Sequence, residues 1–166
     1  MVDRQLDALR ARFFPIFVVG QQTPREAVNV VHIDDRVHDA GPLGGLDAAL
    51  DAANGSAVLL LACDMPWVSG PLLSFLAAQL DGVDAVVPKT ERGYHPLCAV
   101  YAASCRTAVL RRLETRHLRL RDLLDDVRTR VVEGSDYLAQ FGEPSHLLAN
   151  VNTQADLDAL ESQRNH

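Results

Sequence analysis

The sequence predicts an α/β fold with a mostly parallel sheet and helices on both of its faces. Short runs of valine, leucine and isoleucine, typical of buried strands, alternate along the chain with helical segments rich in alanine and leucine. Glycine or proline stands at most of the junctions between them. Hydrophobic residues make up 48% of the 166 residues, enough for one packed core. We therefore expect residues 1–166 to form a single domain.

The first part of the chain predicts a helix followed by two strands. Residues 2–12 predict the helix, because Leu6 and Leu9 share one face among charged neighbours. The run "FPIFVVG" (residues 14–20) and the end of "REAVNVVHI" (residues 25–33) are rich in β-branched and aromatic side chains, which predicts strands.

The middle and end of the chain continue the same alternation. A glycine-rich turn and an alanine- and leucine-rich helix occupy residues 41–55, and "SGPLLSFLAAQL" (residues 69–80) predicts a helix capped by Ser69. The remaining predicted elements are strands at 57–63, 84–88, 96–101 and 127–133, one or two helices within 102–126, and a helix at 153–163.

Composition excludes several classes of function. The net charge of −6 argues against an extended nucleic-acid surface, which needs clustered cations. No apolar run is long enough for a membrane helix, and the charged N-terminal residues lack the apolar core of a signal peptide, so we expect a cytoplasmic protein without membrane contact. Cys63, Cys98 and Cys105 follow no metal-ligand spacing, and we interpret them as reduced core residues.

The ends of the predicted strands are where a ligand site is expected, because open α/β sheets bind ligands beyond the carboxyl ends of their strands. These positions hold Gly20, Asp34, Asp64, Pro88 and the segment "NVNT" at residues 150–153. In "CDMP", Asp64 directly follows a buried strand. One such carboxylate suffices for Mg²⁺ when substrate phosphates supply other ligands. A turn or helix-capping role explains Asp64 equally well.

Four further segments carry candidate residues with two interpretations each. The "GPLGGL" turn can present backbone N–H groups to a phosphate or serve as an ordinary loop. His95 can contact a substrate or be a hydrogen-bonded turn residue. Asn150 and Asn152 can bind a metal or a base, or form local turns. The arginine-rich residues 111–122 are better interpreted as a solvated helix face than as a binding site for an anionic substrate, which is the alternative.

Four motifs in this order, "GPLGGL", "LLLACDMPWVS", "HPLCAVY" and "NVNT", resemble those of the molybdenum cofactor guanylyltransferases. The resemblance covers residues 1 to about 160 and implies a Rossmann-like nucleotidyltransferase fold. It also implies transfer of GMP from Mg-GTP to molybdopterin with release of pyrophosphate. "CDMP" and "GPLGGL" are shared with the cytidylyltransferases of the same cofactor.

The resemblance implies a role for five residues. Asp64 matches the metal-binding aspartate, and it is the expected catalytic and Mg²⁺-binding residue. Asp34 and Gly41 match nucleotide-binding positions. His95 matches a position on the pterin side, and Asn152 a position near the metal. GTP and molybdopterin are then the expected substrates, with molybdoenzymes or cofactor-assembly proteins as possible partners.

One family segment has no counterpart in the sequence. The family carries a strand followed by a loop of the type L-A-G-G-x-S-x-R-M-G-x-D-K, and here no lysine precedes Lys89. We therefore expect an N-terminally shortened domain without that strand and glycine-rich loop, and unpaired edges on the neighbouring strands. The alternatives to the guanylyltransferase are a non-catalytic member that binds pterin or a partner, and a cytidylyltransferase.

Overall fold

The computed structural model describes residues 2–20, 30–34, 37, 39–134 and 138–151. It contains five α-helices and seven strands within those residues: α1 Val2–Arg10, β1 Ile16–Val19, β2 Val30–Ile33, α2 Gly41–Ala52, β3 Val58–Leu61, α3 Gly70–Ala78, β4 Ala85–Thr90, β5 Gly93–Tyr94, β6 Cys98–Tyr101, α4 Arg106–Glu114, β7 Thr129–Glu133 and α5 Pro144–Leu147. Short 3₁₀ turns lie at Ala103–Cys105, Leu120–Asp125 and Leu138–Phe141. The helix predicted at 153–163 lies outside the described residues.

The strands form two sheets. Strands β1 and β2 pair in parallel, and the other five form a sheet of order β3-β6-β4-β5 in which β7 also pairs with β4. Strand β6 is antiparallel to both β3 and β4, whereas β7 is parallel to β4. The α/β class is therefore confirmed, with a mixed sheet. The predicted loop at 89–95 contains a hairpin that joins β4 to β5. Because this hairpin reverses the chain, β6 runs antiparallel to β4.

Helices cover both faces of the larger sheet, because side chains alternate along each strand. On β6, Ala99 and Tyr101 pack in a cluster with α2 and α4, while Cys98 and Val100 pack in a second cluster with α3. The predicted cap of α3 is confirmed, since Ser69 Oγ accepts from the Leu72 amide at 3.4 Å. None of the helices in the described ranges is long and apolar enough to cross a membrane.

The cysteines differ in their surroundings. Cys98 and Cys105 are buried core residues, and burial raises the pKa of their thiols to about 12 and about 11. Cys63 is exposed, which corrects the expectation that it belongs to the core. It lies beyond the end of β3, where the chain leaves the sheet.

A cavity of about 670 Å³ separates the two sheets. It lies between β1 and β3. Among the described residues, β1 pairs with β2 alone and β3 pairs with β6 alone, so β1 and β3 do not pair with each other. Helix α2 connects β2 to β3 and contacts β1, β2 and β3, as the helix of a β-α-β crossover does. We infer that these three strands run in the same direction, so their carboxyl ends meet at one edge.

Asp84 ties three elements together at the start of β4. Its carboxylate accepts from Ser104 Oγ at 2.6 Å, from the Arg128 amide at 3.0 Å and from Arg128 Nε at 2.9 Å. Its carbonyl accepts from the Ala102 amide at 2.7 Å. The Arg128 side chain, followed by Ser104, holds the pKa of Asp84 well below its usual range.

Asp84→Asn should destabilise the fold by about 1–2 kcal/mol, because it weakens the charge-assisted hydrogen bonds that join the residue before β4 to Ser104, after β6, and to Arg128, before β7. Folding lowers the pKa of Asp84, so its contribution is present above pH about 4 and is lost as the pH falls through the folded-state value. Urea unfolding at pH 7 and pH 3 measures this, with the exposed Asp81→Asn as the control. An equal difference between wild type and Asp84→Asn at both pH values would contradict it.

Candidate active site

The candidate site lies at the edge where β1, β2 and β3 end. Gly20 follows β1, Asp34 follows β2, and Asp64 follows β3 by three residues. The Ala62 amide donates to Leu97 O at 2.8 Å, which extends the pairing of β3 with β6 by one residue. Asp64, which follows β3, and His95, which precedes β6, therefore lie at the same end of two paired strands.

Asp64 is held by the segment that follows α5. Its carbonyl accepts from the Val151 amide at 2.7 Å, and Asn150 Nδ2 donates to its Oδ2 at 2.9 Å. Its Oδ1 is buried and has no hydrogen-bond partner among the described residues. An unpaired buried acceptor costs free energy, so this oxygen favours a cation or a donor that a ligand supplies.

This donor set fits Mg²⁺ bound by one protein carboxylate. Mg²⁺ prefers oxygen ligands and is often held by one or two carboxylates together with substrate phosphates and water. No cluster of three or more histidine, cysteine, aspartate or glutamate side chains with metal-binding geometry occurs in the described residues. Asn152, the second expected ligand, lies outside those residues, and its role stays a prediction.

The glycine turn opens α2 beside this edge. Gly41 has φ +56°, a left-handed conformation that side chains disfavour, and it is exposed together with Pro42. The N-cap residue Ala40 offers no side-chain hydrogen bond. The first N–H groups of α2 therefore have no side-chain cap, and the helix dipole makes this end attractive to a phosphate.

His95 lies in the turn between β5 and β6. Its Nε2 is 2.8 Å from Thr90 Oγ1, and its amide donates to Pro88 O at 2.9 Å. The Tyr101 hydroxyl donates to Pro96 O at 2.7 Å and fixes the following residue. Burial, and to a lesser degree the charge of Arg92, lowers the pKa of His95 below its ordinary value. A neutral imidazole at pH 7 can hydrogen-bond a substrate without adding charge.

The structure brings some of the expected residues together. Gly41, Cys63 and Leu97 all line the cavity between the sheets, so the glycine turn is close to the segments that carry Asp64 and His95. Asp34 is exposed at the end of β2 and does not line that cavity. Its role in nucleotide binding stays a prediction.

Two residues have contacts with the candidate site that the sequence did not predict. Asn150 holds Asp64 across 86 positions of sequence, and Thr90 contacts His95 from the other side of a hairpin. The presence of Asn150 in "NVNT" was a signal, but it did not distinguish Asn150 from Asn152. Arg112, whose side chain is only 14% exposed, pairs with Asp126 at 2.6 Å and donates to Asp122 O, so at this position the basic segment is packed into the fold and the expectation of a solvated face is wrong.

The comparisons with known proteins agree on one family. A family model described as "MobA-like NTP transferase domain" matches residues 1–131. A protein of Pelotomaculum thermopropionicum named "Probable molybdenum cofactor guanylyltransferase" is 30% identical over 160 residues, which cover 95% of this chain and 77% of that protein.

Solved structures share the fold. Molybdopterin-guanine dinucleotide biosynthesis protein A from Archaeoglobus fulgidus superposes with a TM-score of 0.80 and 22% identity, over 99% of this chain and 85% of that one. The 2-C-methyl-D-erythritol 4-phosphate cytidylyltransferase from Thermus thermophilus superposes with a TM-score of 0.66 and 18% identity, over 99% of this chain and 88% of that one. At these identities the likeness establishes the fold alone, and it confirms the predicted nucleotidyltransferase architecture.

His95 should titrate below the ordinary histidine pKa of about 6.5. Because Arg92 is the smaller cause, Arg92→Gln should raise the pKa of His95 partway toward that value, whereas Arg10→Gln, on α1, should leave it unchanged. The chemical shifts of the His95 ring, followed by NMR from pH 4 to 8, measure both effects. A wild-type midpoint at or above the ordinary value would contradict the prediction.

Proposed function

The chain belongs to the family of MobA-like NTP transferase domains, which are nucleotidyltransferases, and on that premise we propose that it transfers GMP from GTP to molybdopterin. The product is the guanine dinucleotide form of the cofactor, with pyrophosphate released. The observation that carries the proposal is Asp64, whose Oδ2 is held by Asn150 while its buried Oδ1 has no partner among the described residues.

The reaction needs positioning and charge neutralisation more than a covalent residue. An oxygen of the terminal phosphate of molybdopterin attacks the α-phosphorus of GTP, a new P–O bond forms, and the bond to the β-phosphate breaks. The bonding electrons leave with pyrophosphate. The attacking phosphate is already ionised at neutral pH, so the step requires no strong general base.

The residues of the site divide these tasks. Asp64, joined by Asn152, would hold Mg²⁺, which supplies charge neutralisation for the phosphates when it is bound. Gly41 leaves room for the nucleotide phosphates at the start of α2, where backbone N–H groups face them. Asp34 would contact the guanosine part of the nucleotide. His95, kept neutral by burial, would contact the pterin side.

Asp64→Asn should reduce formation of the guanine dinucleotide by about 100-fold or more, the usual scale for loss of one electrostatic group in an active site. The assay incubates the chain with Mg-GTP and molybdopterin and quantifies the dinucleotide by chromatography. Asp81→Asn, at an exposed carboxylate that follows α3 and does not line the cavity, is the matched control and should retain activity. Equal activity of wild type and Asp64→Asn would remove Asp64 from the mechanism.

A second candidate is a non-catalytic member that retains pterin binding. The observation that favours it is Lys89, the only lysine among the 166 residues, whose Nζ pairs with Glu133 Oε1 at 3.2 Å. This candidate predicts that molybdopterin raises the melting temperature whereas Mg-GTP does not.

Thermal shifts with Mg-GTP and Mg-CTP separate these candidates. For the proposed guanylyltransferase we expect GTP at a hundred times its Kd to stabilise the fold by about 2.7 kcal/mol, with a smaller effect from CTP. A larger shift and faster turnover with CTP would assign the chain as a cytidylyltransferase. No shift with either nucleotide would support the non-catalytic candidate.

A further inference from the structure

The imidazole of His95 is held by the hydroxyl of Thr90, the last residue of β4. His95 Nε2 lies 2.8 Å from Thr90 Oγ1. The same oxygen accepts from the Arg92 amide at 3.3 Å. Among the described residues, Thr90 Oγ1 therefore has two hydrogen-bond partners, one backbone N–H group and one ring nitrogen.

The two partners of this hydroxyl decide the direction of its hydrogen bond with His95. A threonine hydroxyl has one proton to donate and two lone pairs that accept. The Arg92 amide can only donate, so it uses a lone pair, and His95 Nε2 is the acceptor that remains for the hydroxyl proton. A half-buried donor without an acceptor would cost free energy, which favours this direction over the reverse one.

An imidazole that accepts at Nε2 carries its proton at Nδ1. The lowered pKa of His95, caused by burial and then by the charge of Arg92, keeps the ring neutral at pH 7, so it has a single N–H group. The hydrogen bond at one ring nitrogen fixes the state of the other. Nδ1 makes no hydrogen bond to a residue in the described ranges, so its N–H is the donor that remains for a ligand.

The backbone that carries this ring is anchored to the core. The His95 amide donates to Pro88 O at 2.9 Å, and the His95 carbonyl accepts from the Cys98 amide at 3.0 Å. Tyr101, a fully buried residue of β6, donates its hydroxyl proton to Pro96 O at 2.7 Å. These bonds fix the turn to β4 and β6, so the imidazole is presented from a rigid support.

We propose that Thr90 is a positioning residue that holds His95 as the Nδ1–H tautomer, and that this N–H recognises an uncharged acceptor atom on a heterocyclic ring of the ligand. The tautomer follows from the contacts of the chain itself. The identity of the ligand rests on the proposed function, in which His95 contacts the pterin side. The acceptor is then a carbonyl oxygen or an unprotonated nitrogen of the pterin ring, and not an oxygen of its phosphate.

The charge of His95 distinguishes a ring acceptor from a phosphate. A cationic imidazole would bind a phosphate more strongly than a neutral one, because hydrogen bonds between ionised groups are about twice as strong as neutral ones. Burial and the charge of Arg92 both disfavour that cation. A neutral N–H donor suits the uncharged edge of a heterocycle, since its burial against the ligand costs less hydration than the burial of a charge.

The first test measures the tautomer in the full chain without any ligand. NMR spectra at about pH 7 that correlate the ring protons with the two ring nitrogens should show His95 Nδ1 protonated and Nε2 unprotonated. Thr90→Val keeps the shape of the side chain and removes the hydroxyl, so it should give the Nε2–H tautomer or a mixture of both. Thr90→Ser, which restores a hydroxyl, should restore the wild-type spectrum.

Thr115 provides the matched control, because its hydroxyl lies 3.1 Å from Nδ1 of a different histidine, His117. Thr115→Val should leave the His95 signals unchanged. Protonation of wild-type His95 at Nε2 would overturn the proposal, and so would the wild-type tautomer in Thr90→Val. Thr90→Ala replaces Thr90→Val if the latter does not fold.

The second test asks which part of the ligand His95 contacts. Titration with 6-hydroxymethylpterin, a pterin without phosphate, should shift the His95 ring signals, whereas the same concentration of inorganic phosphate should not. In the dinucleotide assay, Thr90→Val should raise the KM for molybdopterin about three- to tenfold, the scale of one hydrogen bond, with smaller changes in kcat and in the KM for GTP. Thr90→Ser should recover most of this loss.

The outcomes separate this inference from the proposed function. A His95 response to phosphate, or none to the pterin, would overturn the assignment of the ligand atom even if the chain makes the dinucleotide. A chain that makes no dinucleotide but shows the expected tautomer and the pterin response would contradict the transferase reaction and support the inference. Turnover together with His95 protonated at Nε2 would do the reverse.

Discussion

Four residue pairs join β3 to β6 in antiparallel register, from Val58 with Tyr101 to Leu61 with Cys98. Strand β6 also pairs with β4, so it lies between two strands that run in the same direction. This arrangement buries side chains on both faces of the sheet and forms the two clusters of the core. It also places Asp64 and His95 where β3 ends and β6 begins. Core and candidate site therefore depend on the same pairing.

Two buried oxygen atoms without partners among the described residues belong to Gln5 and Asp64. Gln5 donates to the carbonyl of Cys63, the residue before Asp64, and each side chain leaves one oxygen unpaired. Both oxygens carry a free-energy cost that a ligand can relieve. The cavity between β1 and β3 adjoins the candidate site, since Gly41 at the start of α2 and Cys63 beside Asp64 both line it.

Much of the fold could be predicted from local patterns. The apolar runs located β3, β4, β6 and β7 within a few residues, because burial on both faces requires continuous valine and leucine. The cap of α3 by Ser69 followed from the residue type and its position before a proline. The hairpin within 89–95 could not be predicted, because its polar residues form only the short strand β5 and gain their partners from β4.

By itself, the sequence determined the α/β class, the family and the position of Asp64 after a buried strand, because each depends on residue types at short spacing. Only the tertiary structure decided what holds Asp64, since Asn150 is 86 positions away and meets it through the packing of the chain end against the sheet. It also decided the lowered pKa of His95, because burial depends on which elements cover the ring. The cavity between β1 and β3 likewise exists only once α1, α2 and the two strand edges enclose it.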